Sequence, residues 1–382
     1  MSFEQKINYK LANSSTVKRI MFVIPTMSGG GAERIVAILS ERFAVEHDVE
    51  IYTFEKGTSF YDIHSGIKFK NAGVVINRRK RWTTTISTLI QMLSAFKQYR
   101  KECLNYRPDV VISFLPQATA VAHYARRGNM HYKHISSERN DPTKRSNLMQ
   151  RLLKHIYSNV DCLVCQSNVV SDYYSSCGKE RISVIPNPIS LSRIPTAVQE
   201  SVPYKIVAVG RLQEQKNYPL LINAFKCAIG KIDSETTLTI YGEGKLRPEL
   251  EKMVISLNLE GKVNFPGVSK NILDEIKDAA LFVMSSDYEG FPNALLEAMA
   301  VGLPVISTDF YTGVAKELIK AENGIVVPVG NVSAMSEAIV HIMNDRELRQ
   351  EMRQNNRNKT KIYDINHVAE MWDKIVLSNV ID

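Results

Sequence analysis

The sequence contains no uninterrupted run of about 18 apolar residues, the length that a membrane-spanning helix requires, so no transmembrane helix is expected. Its first residues are polar and lack the apolar core of a secretory signal peptide, which predicts a cytoplasmic protein. Only five cysteines occur among 382 residues, as is typical of a reducing compartment and not of a disulfide framework. These absences argue against an integral membrane protein and against a disulfide-stabilised secreted domain.

Metal-binding patterns are also incomplete. Cys162 and Cys165 have the spacing of half a zinc site, but no second C-x-x-C pair or nearby H-x-x-x-H accompanies them, which favours a structural role. Asp287 and Glu289 are two carboxylates that Mg²⁺ or Mn²⁺ accepts as ligands, yet cations elsewhere in the sequence supply the positive charge that a metal would bring. We therefore expect no metal cofactor.

The formal net charge is +8, and much of the excess lies between Arg78 and Arg107, where eight basic residues accompany only one acidic residue. Four of these cations immediately precede Trp82, a combination that suits a lipid headgroup interface. One interpretation is a docking site for an anionic inner membrane surface. The alternative is a helix packed on a sheet with a solvated charged face. No nucleic-acid-binding module is recognisable, so no nucleic-acid partner is expected.

Strand-like runs alternate with helical stretches through both halves of the chain, which predicts an α/β protein with parallel sheets and helical crossovers. The length favours two domains over one. A polar stretch with two prolines separates the halves and has the composition of a linker. The predicted organisation is an N-terminal domain at 1–190, a linker at 191–204, a C-terminal domain at 205–362 and a final helix at 363–382, for which a return to the N-terminal domain is one possibility.

A glycine turn at 29–33 follows the first predicted strand and opens a helix. Gly30 and Gly31 would let backbone N–H groups approach a phosphate or a sugar at the positive end of the helix dipole. Arg34 stands where the third glycine of the dinucleotide-binding fingerprint would be useful. A tight turn without a ligand is the alternative.

Arg211 and Lys216 follow the first strand of the second half, five residues apart. Because ligands of such sheets bind beyond the carboxyl ends of the strands, the two cations are candidates to hold a diphosphate. Two solvated surface cations are the alternative.

The segment 287–297 combines an acidic loop with a helix start. Glu289 precedes the helix and Glu297 lies inside it, so an anion at the helix N-terminus would leave one carboxylate on each side to bind hydroxyls. A helix-start glutamate and an ordinary helical glutamate are the alternative. The N–H groups expected to be free for the anion are those of Asn293, Ala294 and Leu295.

Taken together, these segments resemble the retaining glycosyltransferases of the large bacterial family 4, which have the GT-B fold. The resemblance covers nearly the whole chain. The most specific segment is the E-x7-E pair within EGFPNALLEAMAVGLPVI. The other segments are the glycine turn at 29–33, VGRLQEQKN at 209–217, IYGEG at 240–244 and ENGIVVPVG at 322–330.

The resemblance implies two Rossmann-like domains that face each other across a cleft, with the acceptor bound by the first and the donor by the second. It implies transfer of a sugar, with retention, from a nucleotide diphosphate donor, for which uridine is favoured, to an acceptor hydroxyl. The expected context is cell-surface polysaccharide or lipid-linked oligosaccharide synthesis, and family members commonly need no divalent metal.

The resemblance also implies roles for single residues. Gly30 and Gly31 would border the donor phosphate, and Glu289 would contact the donor sugar. Glu297 would bind the ribose, and backbone around Val268 would meet the base. Arg211 and Lys216 would hold the diphosphate.

The chain departs from the family in one place. Many members carry a histidine after a late strand of the first domain, whereas this chain has HISSERNDP there. His134 lies inside the predicted strand, where a packed role is expected. Glu138 becomes the candidate to orient a substrate hydroxyl, and a local ion pair between Glu138 and Arg139 is the alternative.

Two other functional classes share parts of this pattern. An NAD-dependent oxidoreductase would have similar sheets, but its glycine fingerprint is missing after both first strands. A catalytically silent relative that only binds sugar nucleotides would share every donor residue.

Overall fold

The computed structural model describes residues 17–74, 84–126, 130–195 and 202–378, with side chains omitted at 84–92 and 202–203. The four consecutive cations from Arg78 to Arg81 and the adjoining Trp82, on which the predicted membrane-docking segment depends, lie outside these residues. The chain divides into two units, Met1–Pro188 with Ile365–Asp382, and Ile189–Asp364.

The first unit is built on a parallel sheet of seven strands in the order β3-β2-β1-β4-β5-β6-β7. Its strands are β1 (Arg19–Ile24), β2 (Asp48–Glu55), β3 (Lys68–Val74), β4 (Val110–Phe114), β5 (Lys133–Ser137), β6 (Cys162–Cys165) and β7 (Ile182–Val184). Its first five helices are α1 (Gly31–Phe43), α2 (Thr84–Tyr106), α3 (Pro116–Ala125), α4 (Asn147–Tyr157) and α5 (Asn168–Tyr173).

Helices cover both faces of this sheet, which explains why β1 is a continuous apolar run without alternation. Ile20 and Phe22 pack with α1 on one face. Met21 and Val23 point to the other face, where they pack with α2 and α3. The successive side chains of a strand thus supply both layers of the core.

The second unit contains a parallel sheet of six strands in the order β10-β9-β8-β11-β12-β13. Its strands are β8 (Val202–Val209), β9 (Thr237–Tyr241), β10 (Val263–Gly267), β11 (Ala279–Met284), β12 (Val305–Thr308) and β13 (Gly324–Val327). Its helices are α6 (Tyr218–Ala228), α7 (Arg247–Ser256), α8 (Ile272–Ile276), α9 (Asn293–Ala300), α10 (Val314–Leu318), α11 (Val332–Asn344) and α12 (Arg346–Thr360).

Several helix starts in this unit are fixed by side-chain caps. The Asn217 side chain accepts a hydrogen bond from the Leu220 N–H and so caps α6, with proline in the first turn. Asn331 and Asp345 cap α11 and α12 in the same way. These caps satisfy N–H groups that have no partner inside their own helix.

The last helix, α13 (Ile365–Leu377), returns to the first unit. Val368, Trp372 and Val376 are buried in the same apolar cluster as α1 and β1. At the other boundary, Ile189 donates its N–H to the Tyr363 carbonyl within the second unit, and β8 begins at Val202. The stretch expected to be a linker, 191–204, therefore ends inside a strand.

The α/β class and the two Rossmann-like sheets predicted from the sequence are confirmed. Every helix within the described ranges is too short or too polar to span a bilayer.

Candidate active site

The strand order of the second sheet marks one position for a ligand. The chain continues from β8 to β9 on one side and from β11 to β12 on the other, so β8 and β11 are neighbours at a topological switch point. Crevices at the carboxyl ends of such strands are where open α/β sheets bind ligands. The loops that follow β8 and β11 carry the VGRLQEQKN and DYEGFPN segments.

Lys216, from the first of these loops, meets Glu289 from the second. The Lys216 Nζ donates to Glu289 Oε1 at 2.6 Å, and Ser286 Oγ donates to the same oxygen at 2.7 Å. Gln215 Nε2 donates to Glu289 Oε2 at 3.2 Å. A carboxylate has about four acceptor positions, so Oε2 retains room for a further donor such as a sugar hydroxyl. Glu289 is only 8% exposed, which makes this pair a partly desolvated one.

Further hydrogen bonds fasten the two loops together. The Asp287 N–H donates to the Gln215 carbonyl at 2.9 Å, and the Ser285 hydroxyl donates to the Lys216 carbonyl at 2.7 Å. Asn217 Nδ2 donates to Asp287 Oδ1 at 2.7 Å. Asp287 and Glu289 are thus held by different partners, and the loops form one rigid edge.

Glycines let the loops after β8 and β9 touch through their backbones. The Gly210 N–H donates to the Tyr241 carbonyl at 2.9 Å, and the Leu212 N–H donates to the Glu243 carbonyl at 2.9 Å. A Cβ on Gly242, whose φ is +140°, would overlap the Gly210 carbonyl. No other residue fits there without displacing this loop.

Arg211 extends from the same edge as Lys216. Its side chain is exposed, and no group in the described part of the chain accepts a hydrogen bond from its guanidinium. Lys216, by contrast, is already paired with Glu289. The two residues predicted to bind the diphosphate therefore lie on one loop, where Lys216 forms an ion pair and the Arg211 side chain is open to solvent.

The start of α9 differs from the sequence prediction. The N–H groups of Asn293 and Leu295, which were expected to be free, donate at 3.0 Å to the Phe291 and Pro292 carbonyls. The Ala294 N–H is the one group of the three without an acceptor among the residues that the structure describes. The prediction of three free donors was wrong because the chain makes a tight turn at Pro292 before the helix begins.

Two other predicted donor-site residues have contrasting environments. Glu297 lies in α9 and is 8% exposed. Val268 follows β10 directly and is 67% exposed, whereas the adjoining Gly267 is buried and its carbonyl accepts a hydrogen bond from the Gly242 N–H at 2.8 Å.

In the first unit, the glycine turn connects β1 to α1. Gly31 is the first residue of α1, and the Gly30 carbonyl accepts a hydrogen bond from the Tyr61 hydroxyl at 3.0 Å. The atoms nearest to a Cβ on Gly30 would be those of the Glu33 carboxylate, the end of a flexible side chain, so this contact alone does not require glycine. The turn is thus fixed by its own chain, and phosphate contact at Gly30 and Gly31 remains a prediction.

Glu138 does not have the environment of a residue that orients a substrate. It is 2% exposed, and its two oxygens accept a bidentate contact from Arg145 at 2.5 and 2.6 Å. The hydroxyls of Tyr157 and Tyr174 donate to Oε2, each at 3.0 Å. The backbone N–H groups of Arg139 and Asn140 donate to Oε1.

These contacts occupy the acceptor positions of Glu138. Burial opposes its ionisation, but the hydrogen bonds and charge of Arg145 outweigh burial and lower the pKa of Glu138 below its usual value. The catalytic assignment of Glu138 is therefore corrected to a structural one, because no acceptor position is left for a substrate. The alternative prediction, an ion pair between Glu138 and Arg139, was also wrong, because the ion pair joins Glu138 to Arg145.

Arg139 occupies an unexpected position beside this loop. Its guanidinium lies over the rings of Phe114 and Trp372, at 4.8 and 5.8 Å from the ring centroids, and donates to the Asn187 side chain. Burial lowers the pKa of Arg139 to about 9. No sequence signal indicated this stacking, because Trp372 comes from a helix more than 200 positions later.

His134 is packed inside β5, as expected. It is fully buried, and its Nε2 lies 2.9 Å from Ser113 Oγ. Burial lowers its pKa to about 3, so it is neutral at physiological pH.

Cys162 and Cys165 have a structural environment. Cys162 packs in the cluster that contains α1, and Cys165 packs on the opposite face of the sheet with α4. The two sulfurs therefore cannot share a metal ion. Across the residues that the structure describes, no group of three or more His, Cys, Asp or Glu side chains is placed to hold one.

Comparisons with known proteins cover both units. A family model described as Glycosyltransferase Family 4 matches residues 29–193, and one described as Glycosyl transferases group 1 matches residues 196–359. One curated relative is the Campylobacter jejuni GalNAc-alpha-(1->4)-GalNAc-alpha-(1->3)-diNAcBac-PP-undecaprenol alpha-1,4-N-acetyl-D-galactosaminyltransferase. It is 28% identical over 360 residues, which are 94% of this chain and 98% of the relative.

A second relative is the lipopolysaccharide core biosynthesis glycosyltransferase LpsE of Rhizobium meliloti, 28% identical over 64% of this chain and 68% of its own length. Among solved structures, Anabaena HepE in complex with UDP-glucose is similar with a TM-score of 0.77. It is 15% identical and covers 94% of this chain and 99% of its own, so this likeness concerns the fold.

Proposed function

For this chain, which belongs to the family 4 glycosyltransferases, we propose transfer of a sugar from a UDP-linked donor to a hydroxyl of a lipid-linked or surface glycan, with retention at the anomeric carbon. The second unit holds the donor, and the first unit provides the acceptor-binding surface. The reaction needs no metal ion in this proposal. The alternatives to this function are a catalytically silent protein that only binds sugar nucleotides and an NAD-dependent oxidoreductase.

One observation carries the proposal: the convergence of Lys216 and Glu289 at the switch point of the second sheet. A cation and a carboxylate at one strand edge suit a substrate with an anionic part and a part rich in hydroxyls. Arg211, on the same loop, adds a guanidinium that is open to a phosphate. A sugar linked to a nucleotide diphosphate has both parts.

Charge stabilisation is the chemical task of this edge. When the bond between the sugar and the diphosphate breaks, negative charge builds up on the departing oxygen. Arg211, Lys216 and the Ala294 N–H at the start of α9 are placed in the proposal to stabilise that charge. The acceptor hydroxyl gives its proton to the departing phosphate on the same face of the sugar. No enzyme carboxylate then has to act as the nucleophile.

Binding of the remaining donor parts follows from the same geometry. Oε2 of Glu289 accepts hydrogen bonds from hydroxyls of the sugar, and the Glu297 carboxylate accepts hydrogen bonds from the two hydroxyls of the ribose. The base binds beside the exposed residue Val268. UDP is the proposed nucleotide because HepE, with the same fold, has been solved with UDP-glucose.

The lipid-linked acceptor is proposed from the Campylobacter jejuni relative, whose acceptor carries PP-undecaprenol. An acceptor of this kind resides in a membrane. We therefore place the protein at the cytoplasmic face of the cell membrane as a peripheral protein, with the basic segment at 78–107 as one docking element.

The test is a transfer assay with purified protein, a panel of UDP-sugars and a short-chain prenyl diphosphate-linked glycan. Transfer from one UDP-sugar, with an axial linkage in the product by NMR, supports the proposal. UDP binding without transfer to any acceptor would support the silent relative, and an inverted product would contradict retention.

A further inference from the structure

The helix α4 has two apolar faces, of which only one is used by the fold. Leu153 and Ile156 are buried and pack with β6. On the other side, Leu148 is 79% exposed, and Met149 and Leu152 are each 41% exposed. A helix that only covered a sheet would place polar residues at these positions. Adjacent exposed leucines and methionine on a folded protein mark an interaction surface.

The charges of the segment that carries these residues have one sign. No acidic residue occurs between positions 142 and 160. Arg151 and His155 are exposed, and they share the helical stripe of Leu148 and Leu152 at three- and four-residue spacings. Lys144 is exposed just before the helix. The patch is apolar at its centre and cationic at its rim.

The neighbouring helix α2 repeats this composition. Both α2 and α4 pack against α3, and all three helices cover the same face of the first sheet. Among the side chains of α2 that the structure describes, two leucines are 54% and 58% exposed, and two lysines are also exposed. They are Leu93, Lys97, Lys101 and Leu104. Because α3 is largely buried, α2 and α4 supply the outer surface of this layer.

We propose that the outer face of α4, formed by Leu148, Met149 and Leu152 with Lys144 and Arg151, docks on an anionic lipid bilayer. Apolar side chains would enter the boundary between headgroups and acyl chains, while the cations meet lipid phosphates. This surface belongs to the first unit and shares no residue with the proposed donor site or with the segment 78–81. The biological purpose of this docking rests on the proposed function, in which the acceptor resides in a membrane. The test of docking itself does not require enzymatic activity.

The experiment measures sedimentation of the full chain with phosphatidylcholine vesicles that contain or lack phosphatidylglycerol. The test variant is Leu148→Gln with Leu152→Gln. Both side chains are exposed, so unchanged circular dichroism and melting temperature are expected. The matched control is Ile255→Gln in α7, which removes a 58% exposed apolar side chain from the second unit.

Wild type and the control are expected to bind vesicles with phosphatidylglycerol, and the double variant to bind about tenfold more weakly or worse. Binding by the double variant equal to wild type would overturn the proposal, as would equal binding to both vesicle types or no binding by wild type. Concentration-dependent dimerisation of wild type that the double variant abolishes would instead assign the patch to a second copy. A UDP-induced thermal shift, measured on the same samples, reports the donor site independently.

Discussion

The carboxylate of Glu289 accepts a hydrogen bond from the ammonium group of Lys216 at 2.6 Å, although the two residues are 73 positions apart in the sequence. The contact joins the loop after β8 to the loop after β11. In the proposed function, the carboxylate binds hydroxyls of the donor and the ammonium group binds its phosphates. The proposed donor site depends on this pair.

Substitution of Glu289 by glutamine is expected to lower kcat by about 100-fold or more, because the amide cannot support positive charge on the reacting sugar. Since the proposal places Glu289 at the sugar and not at the nucleotide, the Kd for UDP should stay within about threefold. Steady-state kinetics and calorimetric titration measure the two effects. Asp287→Asn is the matched control, because Asp287 is bound by Asn217. An equal loss of kcat in both variants would favour a carboxylate pair that acts together, as in a metal site.

Replacement of Gly242 by alanine is expected to disrupt the donor edge. The new Cβ would overlap the Gly210 carbonyl at a backbone φ of +140°, so a cost of about 2 kcal/mol or more is expected, together with weaker UDP binding. Gly230→Ala is the control, since its Cβ would meet no atom within 4 Å and its φ is ordinary. Urea unfolding of both variants measures the cost. Equal stability of the two would show that the loop has room to move.

The structural assignment of Glu138 predicts a loss of stability without a specific loss of chemistry. Glu138→Gln would leave Arg145 without a carboxylate partner in a buried position, at a cost of about 3–5 kcal/mol. Glu180→Gln, at a carboxylate that is 66% exposed, should cost less than about 1 kcal/mol. Denaturant unfolding gives these values. Normal stability of Glu138→Gln combined with a 100-fold lower kcat, about the size expected for a catalytic acid or base, would return Glu138 to a catalytic role.

Glu50 provides a test by pH. This β2 residue is 1% exposed, and burial, with a smaller contribution from Glu102, raises its pKa to about 8 from an ordinary value of 4.5. A carboxyl whose pKa is raised by folding stabilises the fold when protonated, and this stabilisation is lost between the unfolded and folded pKa values. Glu50→Gln should therefore match wild type near pH 4.5 and be more stable by on the order of 4 kcal/mol at pH 8.

Thermal unfolding across this pH range measures the effect of Glu50→Gln, with Glu180→Gln as an exposed control that should show no such trend. A stability difference that is the same at pH 4.5 and pH 8 would show that Glu50 keeps an ordinary pKa.

The sequence was sufficient to locate Lys216 and Glu289 at strand ends, because apolar runs of strand length and the glycines after them are local signals. Their direct contact required the order of the strands, which places β8 beside β11 and which no local pattern encodes. At Glu138 the adjacent Arg139 suggested a pair, but side-chain directions in an irregular loop follow no period. Arg145 and two tyrosines from later elements therefore became the partners instead.

The central claim is that the second unit binds a nucleotide diphosphate, and thermal shift with UDP and with NAD tests it most directly. The samples are wild type, Glu297→Ala and the exposed control Glu260→Ala. A ligand at about 100 times its Kd stabilises the native state by about 2.7 kcal/mol. UDP is expected to raise the melting temperature of wild type and of Glu260→Ala, Glu297→Ala is expected to lose this rise, and NAD is expected to have no effect. A rise with NAD and none with UDP would contradict it.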